Sequence, residues 1–511
     1  MSMAPPSKKI GRNTLFNLAG KTWLIGLNLA IVPFIIAKLG TEVYGVWALV
    51  LVVGNAFAIF DFGISASIVK YVSQYLALGD SAEVNRIVST GAFFALSVSL
   101  LFCVCIYPML RWLATGPFQI PLPLLEPAFF ALKLSLVAFL FGGVFNLFQS
   151  ILYGAQRMGM VNGIIVAGSI LQTLGIFTVL SAGFALKGLI VNHVIFNLIL
   201  AISMIIGSRK AIPALTIKPR HITRAAFRSL FSYGAKMQVG TATSFLTEHV
   251  NKVFVVTFAG LSAVTFFDVA MKVINVVRLF PTLLLSALLP SVSAFHALGQ
   301  HERLQALYIR GTKYLMAVSV PVVALAILAA FPAITLLFGR DFSTAASSVQ
   351  ILAVAYGVNL FTGMGTTFVR GIGKPELEMY YALVIAALNI VLVYALGLWF
   401  GYFGVLAGMA AAIIAGSLFF ILLFQQVAKK IFGRPNEKLA QSLFAVVCPA
   451  IIAFLVNYVL TALNLARPPY EQFQQGLVIV MFLLLYALVL YKSKFFDAYD
   501  RDFLRSMLQW R

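Results

Sequence analysis

Apolar runs of about twenty residues follow one another along almost the whole chain, and their connectors are too short to fold alone. A helix of about 20 mostly apolar residues crosses the hydrocarbon core of a bilayer, so the runs predict an all-α integral membrane protein. The expected spans are 13–37, 43–69, 84–110, 127–153, 160–182, 186–207, 230–258, 264–289, 312–337, 345–369, 377–399, 402–427, 440–463 and 475–491, about fourteen in number. Connectors such as Ala259–Gly260–Leu261 and Phe400–Gly401 are so tight that neighbouring helices must return antiparallel. The first run follows Lys8, Lys9 and Arg12 as a secretory leader would. It is too long for one, lacks a small-residue cleavage site, and reads as the first spanning helix.

Composition excludes several classes. Only 10% of residues are charged and 61% are hydrophobic, whereas a soluble domain carries about a quarter charged residues. The net charge of +21 would suggest nucleic acid in a soluble protein. Here it follows from basic loops retained on the cytoplasmic side, and no nucleic-acid partner is expected. Cys103, Cys105 and Cys448 lie in apolar runs without metal-ligand spacing, so they read as buried thiols and no metal or cofactor is expected. With the N-terminus inside, only Lys38, Arg111, Lys133, Lys187, Arg340 and Arg467 of the 37 lysines and arginines fall on external segments. An even number of spans then places both termini in the cytoplasm.

The chain repeats itself. Val72-Ser73 and Ala77-Leu78-Gly79 recur 220 residues later as Val292-Ser293 and Ala297-Leu298-Gly299, and the same offset carries Gly40 onto Gly260. Gly154…Arg157 matches Gly371…Lys374, and Lys187-Gly188-Leu189 matches Phe403-Gly404-Val405. Each copy holds six expected helices. An even count makes the copies parallel repeats about an axis along the membrane normal, an arrangement that encloses a central cavity and transports by rocking of two lobes. The expected division is a lobe at 1–207, a basic connector at 208–229, a second lobe at 230–430, and two additional helices with a tail at 431–511.

Local motifs carry a resemblance. Asn17 and Asn28 precede Lys38-Leu39-Gly40. Tyr44-Gly45, the turn signal Asp61-Phe62-Gly63 and the Leu78-Gly79-Asp80 loop follow. The eighth span reads Phe267…Ala270-Met271-Lys272…Phe280-Pro281…Leu289-Pro290. From about Asn13 to Lys430 the chain resembles the polysaccharide-transport and oligosaccharide flippase family. That family shares a superfamily with multidrug and toxin extruders and peptidoglycan-precursor flippases. The resemblance implies two six-helix lobes in a bacterial inner membrane. It implies movement of an undecaprenyl-(pyro)phosphate-linked oligosaccharide from the cytoplasmic to the periplasmic leaflet, with glycosyltransferases and a polymerase of the same pathway as potential partners. It leaves the sugar open.

Ionisable groups inside spans are costly and mark function by default. Lys21 and Asp61 are equally distant from the turn at Thr41, so they lie at one depth and can pair, unless Lys21 reaches back to the interface. Glu248 and Lys252 share a helix face at i,i+4, as do Asp268 and Lys272. Two readings stand: self-neutralised pairs, or a cavity wall whose cations receive an anionic headgroup, with Glu248 open to proton exchange. Arg278 has no acidic residue at i±3 or i±4, and a guanidinium matches two phosphate oxygens at once. It is the leading candidate for phosphate contact. Arg12, Lys70 and Lys236 stand at cytoplasmic helix ends, as a mouth for the headgroup or as interfacial anchors. Asn17, Asn28, Gln172, Asn197 and Asn389 can line the cavity or join helices.

Three functions compete. The flippase reading is favoured by the excess of deep cations, which suits an anionic substrate. An ion-coupled small-molecule exporter would favour an acidic cavity. A polysaccharide polymerase would need a substantial catalytic outer loop, but the longest external segment, about 111–126, is short, Pro-rich and without histidine. His193, His221, His249, His296 and His301 are scattered, and no catalytic constellation emerges.

Overall fold

The computed structural model describes residues 23, 26–374, 376–432, 447–452, 455, 471–493 and 495. These are helical almost throughout, with no strand among them. In chain order the helices are α1 (Gly26–Leu39), α2 (Thr41–Gly54), α3 (Phe57–Phe60), α4 (Ile64–Ala77), α5 (Ser81–Ile106), α6 (Leu110–Thr115), α7 (Leu122–Gly154), α8 (Met158–Ser181) and α9 (Ala185–Ala211). They continue as α10 (Arg224–Phe245), α11 (Asn251–Ala259), α12 (Leu261–Ala297), α13 (His301–Leu328), α14 (Ala330–Phe338), α15 (Ser343–Leu360), α16 (Gly363–Gly371), α17 (Glu376–Phe432) and α18 (Glu471–Lys492). Eight helical stretches among the described residues are long and apolar enough to cross a membrane. Most of the expected span 440–463 lies outside the described residues.

Several expected spans are interrupted. Span 43–69 is three helices, α2 to α4, broken at Asn55–Ala56 and again at Asp61–Gly63, where Phe62 (φ 48°) and Gly63 (φ 72°) are left-handed. Apolar periodicity cannot register such a break, because the flanking residues stay apolar. Non-helical backbone at membrane depth survives only where protein or a water-filled cavity satisfies it. Here the Asp61 carboxylate accepts from Ser65 N at 3.1 Å and Ser65 Oγ at 2.9 Å, and Gln238 Nε2 donates to the freed Ile59 carbonyl at 2.7 Å. Span 230–258 carries a single π-helical turn at Leu246–Val250 between α10 and α11. Spans 377–399 and 402–427 meet at Gly401 inside α17, where φ is 56°.

The turns reproduce the repeat. Among described residues with positive φ, Gly40 recurs as Gly260, Gly79 as Gly299, Gln119 as Gly339, Gln156 as Gly373 and Ala185 as Gly401, at offsets of 216–220 residues. Matching hydrogen bonds accompany them. Asp80 N reaches Tyr75 O at 2.9 Å and Gln300 N reaches Phe295 O at 3.0 Å. Arg157 N reaches Leu152 O at 2.9 Å and Lys374 N reaches Val369 O at 2.8 Å. All four close a helix C-terminus on a left-handed residue. Phe62 and Gly63 have no counterpart, since the corresponding stretch of α12 is helical. The break is therefore a feature of the first copy alone.

The described chain forms two compact units. One comprises the residues up to Lys272 with Ile390–Val405; the other comprises Val273–Asn389 and the residues from Leu406 onward. The first is built on a core of Ile64, Ile68, Ile87, Ile151, Leu152 and Leu230. Its connector is pinned to α5: Asn85 Nδ2 donates to Ala214 O at 3.1 Å, and Ser89 Oγ accepts from Lys218 N at 3.2 Å. α4 and α10 touch backbone to backbone, because a side chain on Gly63 would strike the Gly234 carbonyl. The second unit packs Phe368, Phe420 and Phe482 around Leu315, and Tyr486 donates to Ala317 O at 2.8 Å.

Candidate functional site

The helix break and the π turn open onto one cleft in the first unit. Its volume is about 670 Å³, and its lining includes Asn55, Asp61 and Ser65 beside the break, Asn146 on α7, His193 and Asn197 on α9, Gln238 and Thr241 on α10, and His249 on the π turn. A π turn inserts one extra residue into a helix, rotates the following side chains, and often marks a functional site. His249 stacks near Phe245 with ring centroids 4.8 Å apart, and its Nδ1 has no hydrogen-bond partner among the described residues. On the opposite wall, Asn197 Nδ2 lies 3.2 Å from His193 Nε2, Gln172 Nε2 lies 3.4 Å from His193 Nδ1, and Trp47 meets the His193 ring edge-on. Among the described residues, Asp61 is the one carboxylate in the lining, and no lysine or arginine belongs to it.

The histidines were not singled out from sequence, where they were read as scattered. A signal was present: His193 and His249 are ionisable residues within apolar spans, and that alone is a functional marker in a membrane. Of the candidate polar residues, Asn197 lines the cleft and Gln172 stands one layer behind it. Asn389 is fully buried in the second unit, and Asn17 lies outside the described residues.

The deep charges fall into two groups. Asp268 is buried at the centre of the first. Lys252 Nζ reaches its Oδ1 at 2.6 Å, Lys272 Nζ its Oδ2 at 2.8 Å, and Tyr44 OH donates to Oδ2 at 2.7 Å. Lys252 thus bonds to the next helix, while the π turn at Leu246–Val250 interrupts the regular spacing behind the expected Glu248–Lys252 pair. The cluster lies just beyond the Gly40 and Gly260 turns, where Thr265 Oγ1 donates to the Thr41 carbonyl at 2.6 Å. Arg278 belongs to the second unit. Its guanidinium stands 4.6 Å from the centroid of Tyr356, and its Nη1 is 3.4 Å from Asn275 Oδ1.

A second, smaller pocket of about 420 Å³ is lined by Lys70, Tyr71, Arg228, Ser229, Ser232 and Tyr233. Lys70 Nζ sits 4.2 Å from the Tyr233 ring centroid and 4.9 Å from that of Tyr71. The fold brings Lys70 together with Arg228 of the connector, a pairing that sequence spacing could not reveal. Arg12, Lys21 and the Lys236 side chain lie outside the described residues.

Comparison with known proteins gives this geometry a setting. A putative O-antigen transporter of Shigella flexneri is 21% identical over 72% of this chain and 86% of its own length. An uncharacterized membrane protein of Methanocaldococcus jannaschii is 26% identical, but the match spans only 36% of either chain. Among solved structures, the lipid II flippase MurJ in an inward closed conformation superposes with a TM-score of 0.74 at 14% identity, covering 94% of this chain and 99% of that one. An inward-facing multidrug resistance MATE family transporter of the MOP superfamily gives 0.70 at 16% identity, over 83% and 96%. The chain thus shares the fold of these two solved structures. Residues 38–347, more than half of the sequence, match a single family profile, and by that match the chain belongs to the polysaccharide biosynthesis protein family.

Proposed function

We propose that the protein is a flippase that carries a lipid-linked oligosaccharide across the inner membrane for cell-surface polysaccharide assembly, by alternating access of two six-helix lobes. The observation that carries this reading, in a chain of the polysaccharide biosynthesis family, is the pocket formed by Lys70, Arg228, Ser229, Ser232, Tyr71 and Tyr233. Two cations with hydroxyl donors suit a phosphate or pyrophosphate, and the aromatic rings hold the Lys70 ammonium. In the orientation argued from the basic loops, this pocket opens at the cytoplasmic face, where an undecaprenyl-(pyro)phosphate headgroup arrives. Arg278, in the second unit, is a further phosphate contact on this reading.

The test is a cell with its chromosomal copy replaced by Lys70→Ala/Arg228→Ala. Lipid-linked oligosaccharide should accumulate on the cytoplasmic leaflet at normal protein level. Unchanged surface polysaccharide in that strain would refute the reading.

A second reading, export of an organic cation, is favoured by one observation: among the described residues, Asp61 is the lone charged side chain lining the larger cleft. Ethidium efflux from loaded vesicles separates the two. A flippase leaves efflux at the level of empty vesicles.

A further inference from the structure

We propose that the cleft at the α3–α4 break is a sugar-binding subsite that takes a neutral or amino sugar and rejects an acidic one. The inference rests on the lipid-linked oligosaccharide reading and adds to it the chemical class of the sugar held in this cleft.

The lining is built for hydroxyl groups. Asn55, Asn146, Asn197 and Gln238 are amides, and Ser65 and Thr241 are hydroxyls. Each such group pairs with a sugar hydroxyl as donor or acceptor. Asn146 and Asn197 direct an N–H to their own helix backbones, at 2.8 Å to Gly142 O and 2.9 Å to His193 O. No hydrogen bond among the described residues uses either amide oxygen, so both remain as acceptors. His249, on the π turn, supplies a further ring nitrogen, buried and without a hydrogen-bond partner among the described residues. Phe145 in the lining, and Phe245 beside His249, provide apolar surface for the C–H face of a pyranose ring. A volume of about 670 Å³ lies within the range of small-ligand pockets.

The sign of the charge decides the class. A carboxylate accepts hydrogen bonds and attracts an ammonium, whereas it repels a second carboxylate. Lys252 and Lys272 stand outside this lining, and both are engaged by Asp268. A uronic acid would therefore bring a second anion beside Asp61 in a lining that holds no lysine or arginine among the described residues. A neutral hexose pairs with the amides, hydroxyls and imidazoles and brings no charge against Asp61, and an amino sugar gains Asp61 as a partner.

Trp47, stacked edge-on to His193, is a built-in reporter. The full chain is purified with Trp23, Trp112, Trp399 and Trp510 replaced by phenylalanine, and Trp47 emission is titrated with three disaccharides: N-acetylglucosamine, glucosamine and a glucuronate-containing one. The first two should bind at least about tenfold more tightly than the third. Asn197→Leu and His249→Phe should each weaken the neutral disaccharide about tenfold. Asp61→Asn should retain neutral binding and bring the acidic disaccharide to within about threefold of it. Equal or tighter binding of the glucuronate disaccharide overturns the proposal. So does the absence of any saturable Trp47 response, even if cells flip lipid-linked glycan normally, an outcome that leaves the flippase reading standing. Sugar binding by a protein whose deletion leaves surface polysaccharide untouched would instead keep the subsite and defeat the flippase reading.

Discussion

Lys252 and Asp268 meet at 2.6 Å across the α11–α12 turn, with side chains 6% and 8% exposed. Asp268 also holds Lys272 and Tyr44, so one carboxylate is shared between two ammonium groups. Removing the anion leaves a buried Lys252 unpaired, a change that costs about 3–5 kcal/mol. Asp268→Asn should therefore lower the thermal unfolding midpoint of the purified protein clearly. Lys252→Met with Asp268→Asn should recover most of the loss, because Lys272 is partly exposed and can reach water. A wild-type midpoint for the single variant would mean that the cluster contributes nothing to the fold.

Thr41 Oγ1 and Ser262 Oγ lie 3.5 Å apart where the Gly40 and Gly260 turns meet. Cβ atoms of residues in such contact fall near disulfide range. Thr41→Cys with Ser262→Cys, in a chain lacking Cys103, Cys105 and Cys448, should cross-link on mild oxidation. If transport requires these turns to part, oxidation stops glycan export and reductant restores it. Export that continues in the fully cross-linked protein would rule out opening at this end.

Gly63 and Gly79 share φ 72° but not surroundings. A side chain on Gly79 meets open space, whereas one on Gly63 meets the Gly234 carbonyl. Gly79→Ala should cost about 1 kcal/mol, from left-handed backbone alone. Gly63→Ala should cost clearly more and reduce membrane-inserted protein, which comparison of the two midpoints and blot intensities checks. Equal effects would show that the α4–α10 contact yields without penalty.

Arg278 stacks over Tyr356 with its planar group near Asn275. If it contacts phosphate, Arg278→Ala abolishes export at normal protein level and Arg278→Lys restores part of it, because lysine keeps the charge and loses the two-pronged geometry. The readout is lipid-linked glycan on the cytoplasmic leaflet. Full export by the alanine variant would remove Arg278 from the substrate path.

Much of this architecture was legible in the sequence. Apolar run length gave the helical membrane fold, and Gly40, Gly79, Gly260, Gly299 and Gly401 gave turns at the positions where the backbone is left-handed. Asp61-Phe62-Gly63 also announced a turn, yet its apolar flanks concealed that the turn interrupts a helix. The π turn left no trace, because Leu246–Val250 is unremarkable in composition. Nor could spacing along one helix reveal that Lys252 bonds to Asp268. That depends on the rotation of two helices about their axes, which no one-dimensional pattern encodes. The two cleft histidines were visible as residue types, but only the fold sets them around one cleft.

The charged cluster beside the Gly260 turn has no image in the first copy. At the offset of 220 residues, Lys252, Asp268 and Lys272 correspond to Val32, Ala48 and Val52, and Tyr44 corresponds to Val264, all of them buried. The two turns that meet there occupy matching positions of the repeat, yet each carries what the other lacks. Two first-copy hairpins would face each other with tyrosines and nothing to receive their hydroxyls, and two second-copy hairpins would set like clusters of excess positive charge together. The matching turns are therefore complementary rather than alike, the tyrosine of one supplying the hydroxyl that the carboxylate of the other receives.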